Sequence, residues 1–261
     1  MRSRSTGDDM NGFEEIFPPH ALPVRVQCFR CPVEARDLGQ VTLASVDEVA
    51  KFAVDKRRDE HLTGRWLLAQ AVAQWGLEPS MLEVRRTEHR APILAYLSGL
   101  WMNTPLPSIS IGHSEGWAYV AVVEPGWSIG IDAESAERGI APNAFDMMAK
   151  GDELEWLNAH PEHAIRLWTS KESVQKAMQL GMHLNPRKIV IPIGESIVDI
   201  SIDNSKIQLQ NWTFRGANIS LAWRPESVRL RTAEDDLLDL TRKAMQEQEW
   251  GVGCKTTQGR A

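Results

Sequence analysis

Cysteine is scarce in this chain, with three in 261 residues, too few for a disulfide framework. Cys28 and Cys31 have C-x-x-C spacing, but no second such pair exists to complete a four-thiolate zinc site. Cys254 stands alone in a Gly-rich tail, and His160 and His163 flank Pro161-Glu162 with no thiol nearby. All of these are expected to be structural or incidental. Long apolar runs are missing too, so no segment can span a bilayer. The N-terminus, MRSRSTGDDMNGFEEIFPPH, lacks the apolar core of a signal peptide. A cytoplasmic protein with no membrane partner is expected. Positive charge is in deficit: 29 Lys and Arg against 35 Asp and Glu give a net charge of −6. That excludes a general nucleic-acid binder, which depends on neutralising phosphates. Neither G-x-x-x-x-G-K-[ST] nor G-x-G-x-x-G occurs, and there is no short internal repeat.

What is present is ordinary globular composition, 43% hydrophobic and 25% charged, in a chain long enough to bury a core as one large domain or two small ones. Two basic clusters, Lys56-Arg57-Arg58 and Arg85-Arg86, are too small for a duplex but sufficient for one polyphosphate ligand. Residues 1 to about 20 are polar, end in Pro18-Pro19 and are expected to be disordered. A strand is expected over Val24 to Phe29, then helix from Val46 to about Trp75, stopped by Gly76. SISIGHSEGWAYVAVV reads as two strands linked by Gly112 to Gly116, and SIGIDAE as a third strand after the Pro125-Gly126 turn. Helices fill about 143 to 181. After Pro186, four alternating runs (KIVIPI, SIVDISI, KIQLQ and ANISLAW) read as an antiparallel meander, and Thr232 to about Glu249 as a last helix. Strands before helices in one part and helices before strands in the other point to an α+β fold in two halves. The expected division is 1–126, 127–228 and a C-terminal helix and tail, 229–261.

Two segments carry chemistry. On a strand the side-chain period is two, so Asp132 and Glu134 point the same way and repel unless a cation intervenes. In RLWTSKESVQKAMQLGM, Trp168, Glu172 and Lys176 fall at i, i+4 and i+8 and share a helix face. A Glu four residues before a Lys can be a solvated surface pair worth only about 0.2–0.5 kcal/mol. Joined to Asp132 and Glu134, however, Glu172 makes a set of oxygen donors of the kind Mg²⁺ prefers, completed by water and phosphate.

GIDAE followed by WTSKESVQK resembles the signature of the 4′-phosphopantetheinyl transferase family in its longer single-chain form: a strand G-[IV]-D-x-E, then a helix W-[ST]-x-K-E-[SA]-x-x-K. Gly130, Ile131, Asp132 and Glu134 match, as do Trp168, Lys171, Glu172, Ser173 and Lys176. Upstream, Ile111-Gly112-His113-Ser114 is similar to the family's I-S-H-S turn, Thr63-Gly64-Arg65 to its A-G-R helix start, and Arg86-Thr87 to Pro92 to its basic stretch ending in Lys-Pro. The resemblance implies two similar α+β halves about a pseudo-twofold, with a ligand cleft between them. It implies Mg²⁺ held by Asp132, Glu134 and Glu172 against the pyrophosphate of coenzyme A, with Glu172 also the base for the incoming hydroxyl. Lys176 would contact the pyrophosphate, and Arg65, Arg86 and His113 the nucleotide end with its 3′-phosphate. The implied partner is an acyl or peptidyl carrier protein, and a monomer is expected. Three positions depart from the pattern: Gly112 replaces Ser, Ala91 replaces Lys with Arg90 one residue earlier, and Met147-Met148 replace a double Phe. A non-catalytic binder of coenzyme A or carrier protein is the alternative the departures leave open, and a metal-dependent phosphodiesterase is a third.

Overall fold

Gly130 and Gly76 explain much of how this chain is laid out, and both belong to elements of the computed structural model, which describes residues 12–100, 104–192, 197–226, 241, 244 and 245. The first half contains strands β1 (Glu14–Ile16) and β2 (Val26–Pro32), then helices α1 (Val46–Val49) and α2 (Asp55–Trp75). It continues with strands β3 (Leu82–Arg86), β4 (Pro92–Tyr96), β5 (Ser108–Ser114) and β6 (Trp117–Val123). The second half opens on strand β7 (Trp127–Ser135), followed by helices α3 (Phe145–Met148), α4 (Asp152–Ala159) and α5 (Ala164–Ala177). Strands β8 (Ile197–Ile202), β9 (Ser205–Phe214) and β10 (Ala217–Pro225) complete it.

Two antiparallel sheets result, ordered β1-β2-β6-β5 and β7-β10-β9-β8, with β3 and β4 as a separate hairpin. The repeat that is invisible in sequence is plain in topology. In each half the opening strand (β2 or β7) pairs with the last strand (β6 or β10), which pairs with the one before it (β5 or β9). In each half a helix between opening and closing strands covers the sheet. The tight hairpins use left-handed residues at both turn positions, Glu115-Gly116, Asp203-Asn204 and Arg215-Gly216, as two-residue turns require.

Period-two alternation sorts each strand's residues into two cores. Ala118, Val120 and Val122 of β6 face Leu67, Leu68, Ala71 and Val72 of α2. Tyr119, Ala121 and Val123 face the other way, onto Ile129, Ile131 and Ala133 of β7 and Ile219, Leu221 and Trp223 of β10. On the far side, Leu167, Val174 and Ala177 of α5 pack with Ala222, Leu209, Ile200 and Val198. The layers therefore run helix, sheet, sheet, helix. The α2 helix stops where Gly76 turns left-handed (φ 97°) and its N–H reaches back to the carbonyls of Val72 and Ala73.

Several expectations are corrected. Within the first twenty residues, 1–11 lie outside the described residues, but Glu14–Ile16 form an edge strand on β2, because Ile16 is buried and Glu14 pairs with Arg30. The expected helix from Val46 is two helices, since Val54 is extended and α2 starts afresh at Asp55, an acid suited to a helix N-terminus. Thr63-Gly64-Arg65 is therefore mid-helix. Gly112 and His113 lie within β5, paired with Tyr119 and Ala118, and only Glu115-Gly116 form the link. Among the described residues the meander has three strands. The described part of the KIVIPI run, residues 188–192, stays out of the sheet because a buried ion pair claims its backbone: Lys171 Nζ donates to the Ile189 carbonyl, and the Ile191 N–H donates to Glu153 Oε1. Cys28 and Cys31 are buried free thiols on opposite faces of β2, and burial pushes Cys31 up to about 12. The helix expected from Thr232 lies outside the described residues but for isolated positions.

Candidate active site

The site begins with a glycine that admits a helix. A Cβ on Gly130 would sit 1.9 Å from the Ser173 carbonyl and 2.6 Å from the Ala177 nitrogen, so α5 lies directly on β7 only because that position has no side chain. Glu172 and Lys176 are thereby carried over the neighbouring strand residue, Asp132. Lys176 Nζ donates to Asp132 Oδ1 at 2.8 Å and to the Ile131 carbonyl at 2.9 Å. Asp132 is 4% exposed, and its second oxygen, Oδ2, is buried with no partner.

Three charges compete here. Burial raises the Asp132 carboxyl, against the lowering pull of Lys176. Burial and the adjacent Asp132 charge push Glu172 up to about 7, with Glu134 adding to the rise. Burial thus presses both carboxyls towards the protonated form. Glu134 shares their strand face but is drawn outward, accepting from Ser114 Oγ and from Arg138 Nη1, each at 2.7 Å.

The first half brings β5, α2 and β3 to the same seam. A Cβ on Gly112 would stand 3.3 Å from both Lys176 Nζ and the Ile131 carbonyl, so β5 runs alongside β7 at the carboxylates. His113 follows, its Nε2 sealed against Gly64 without a partner. Burial and the Lys176 charge lower it to about 4, so it is neutral at pH 7. Beyond it, Arg65 Nη2 donates to Glu48 Oε2 at 3.0 Å and Arg86 Nε to Glu48 Oε1 at 2.8 Å. Arg90 sits exposed in the β3–β4 turn at φ 65°, where its carbonyl accepts from Arg86 Nη1.

Asp132, Glu172, Lys176, Gly112 and His113 thus come together, with Glu134 at their edge; Arg65 and Arg86 meet each other through Glu48. Two family models match the chain: the 4′-phosphopantetheinyl transferase N-terminal domain over residues 46–123, and the 4′-phosphopantetheinyl transferase superfamily over residues 128–232. The chain belongs to the 4′-phosphopantetheinyl transferase superfamily. No curated protein matches it. Membership makes it a transferase of phosphopantetheine, and the two matched stretches meet where the two sheets do.

The residues fit the Mg²⁺ that family membership implies. An orphaned carboxylate oxygen on Asp132 and a crowded Asp132–Glu172 pair both call for a cation. Among the described residues no three such groups are already gathered around one point, because Lys176 holds Asp132 and Arg138 holds Glu134. Sequence reasoning missed the partners: Arg138 on Glu134, Glu48 between the arginines, and Glu153 on Lys171. Only Arg138 left a signal, as a cation four residues from an acid. Glu48 and Glu153 act across 17 and 18 residues, and no local pattern marks them.

Proposed function

We propose that this transferase moves 4′-phosphopantetheine from coenzyme A to a serine hydroxyl of an acyl or peptidyl carrier protein, with Mg²⁺, releasing adenosine 3′,5′-bisphosphate. The observation that carries the reading is the Asp132–Glu172–Lys176 cluster pressed into the seam between the halves. Asp132, Glu134 and Glu172 are the residues to hold the metal, which supplies charge neutralisation on the phosphates. The serine hydroxyl is a poor nucleophile and needs a proton acceptor. Glu172, the carboxylate on α5 beside Lys176, is the residue to accept that proton. Lys176, part-exposed at the seam, supplies a cation for the pyrophosphate, and its present bond to Asp132 keeps that ammonium aimed there. Arg65, Arg86, Arg90 and His113 are the residues to take the nucleotide end. We further propose that the enzyme acts as a monomer in the cytoplasm.

Mass spectrometry of a carrier protein incubated with coenzyme A, Mg²⁺ and this enzyme tests the reading. A mass gain of one phosphopantetheine is the expected result. An unmodified carrier with intact coenzyme A indicates a binding homologue, and cleaved coenzyme A without transfer indicates a phosphodiesterase.

A further inference from the structure

The Arg65–Arg86 pair already holds an anion, and that anion belongs to the chain. Glu48 lies on α1, a single turn of four residues with none buried, and residues 50–54 leading on to α2 are exposed throughout. Apart from the Phe52 ring, which lies 5.0 Å from that of His61, little apolar surface fastens this turn to the body. What fastens it is Glu48, whose Oε1 accepts from Arg86 Nε on β3 and whose Oε2 accepts from Arg65 Nη2 on α2. His61 Nε2 stands 3.5 Å from Oε2.

Beneath this cover the donors outnumber the acceptors. Arg65 is 2% exposed, yet its Nη1, a donor in any state, is buried with no partner. One carboxylate, with two oxygens and one charge, leaves that cradle unsatisfied. A phosphomonoester brings three terminal oxygens and up to two charges, and matches a forked guanidinium pair more fully. The arginines also hold Glu48 ionised, outweighing its burial and keeping it at about 2, so it remains an anion throughout the working pH range.

We propose that Glu48 is a built-in stand-in for the ligand's 3′-phosphate, occupying Arg65 and Arg86 until a phosphomonoester displaces it and frees α1. The proposal rests on coenzyme A being the donor and adds what sets the enzyme's demand for the 3′-phosphate. Binding through that phosphate costs the Glu48 contacts, so the net gain over a donor lacking it is small. A donor without the 3′-phosphate leaves Glu48 in place and loses little.

The experiment is direct binding, by calorimetry, of coenzyme A and 3′-dephospho-coenzyme A to the full chain and to Glu48→Gln, whose folding is checked by circular dichroism. Charge-assisted contacts of this kind correspond to roughly tenfold or more in affinity. Glu48→Gln is expected to tighten coenzyme A by about that factor while leaving the dephospho ligand unchanged. Should Glu48→Gln misfold, Glu48→Asp keeps the charge but cannot span both arginines, and its preference should shift the same way. Hydrogen exchange in the native chain gives an independent readout. Amides of 46–54 should exchange faster with coenzyme A bound and not with the dephospho form. An unchanged ratio of the two affinities, or equal weakening of both ligands, overturns the proposal and makes Glu48 a positioning residue for the arginines. If the native chain binds neither ligand, the donor reading has failed instead. Inorganic phosphate then becomes the probe, and failure of Glu48→Gln to bind it more tightly than the native chain overturns this proposal as well.

Discussion

Glu172 and Lys176 are separated by one helical turn, yet substituting them should have different consequences. Glu172→Gln keeps the shape and removes the charge, so coenzyme A binding should persist while single-turnover transfer collapses. Lys176→Ala takes a cation from the phosphates and strands the buried Asp132 carboxylate, so binding and rate should fall together. A surface ion pair would instead give native rates in both variants and a few tenths of a kcal/mol in stability. The same glutamate leaves a signature in stability against pH. Its folded value, about 7, lies above the ordinary 4.5, so the unfolded chain ionises first and the folded ligand-free protein loses stability as pH rises between those values. Glu172→Gln should therefore melt higher than the native chain at pH 8 and no higher near pH 4. Histidines 61 and 113 work in the opposite sense. Each is lowered from 6.5 to about 4, so their contribution is full above pH 6.5 and is lost as pH falls towards 4. Replacing His61 with Gln should flatten that acid limb in a series of thermal melts, and a limb as steep as the native one would count against its burial in the neutral form.

At the scale of elements, α5 is held by contacts of two kinds. Gly130 lets it touch β7, and Lys171 ties it to everything on its other side. Lys171 Nζ, fully buried, donates to Glu153 on α4 and to the carbonyls of Met148, Pro186 and Ile189. Lys171→Met leaves Glu153 as a buried unpaired carboxylate, a loss of about 3–5 kcal/mol. Combining it with Glu153→Leu should recover much of that, since replacing both members of a buried pair is often neutral. Urea unfolding of the two variants measures the difference; equal losses would mean that the pair is not what orders this region. This cluster also marks where the sequence stops being legible. The strand and helix of the G-I-D-x-E and W-T-S-K-E segments could be read because their periods and spacing are local. Gly130 could be noted but not explained, as the helix residues it admits, Ser173 and Ala177, come more than forty residues later. The KIVIPI run has a strand's alternation, but its described residues 188–192 do not form one because Lys171 and Glu153 take their backbone groups. Asp132 could be assigned a face from its strand position, but its bond to Lys176 depends on how the layers stack.

For the whole molecule, the decisive surface is the one between the two sheets. The topological repeat suggests halves that could fold alone, but the core argues otherwise. Tyr119, Ala121 and Val123 of the first half have Ile129, Ile131, Ala133, Leu221 and Trp223 of the second as their packing partners, with Trp223 only 1% exposed. Separating the halves would uncover both inner faces at once, and each apolar side chain so exposed forfeits about 1.5–3 kcal/mol of burial. Against a total stability of about 5–15 kcal/mol for a folded domain, a handful of such residues is enough to remove either half's independence. Asp132 and Gly130 lie on the opposite face of β7, under α5, but Gly112 of β5 approaches Lys176 at the edge of the shared core, so the site borders that interface. Equilibrium unfolding should accordingly be a single transition. Far-ultraviolet circular dichroism, which reports both halves, should give the same urea midpoint as fluorescence from a protein whose buried reporter is Trp223. Ala121→Asp, which places a carboxylate between the sheets, should lower both midpoints together. Two separated transitions, with Ala121→Asp moving only one of them, would show that each half is stable alone and that the shared core is incidental to folding.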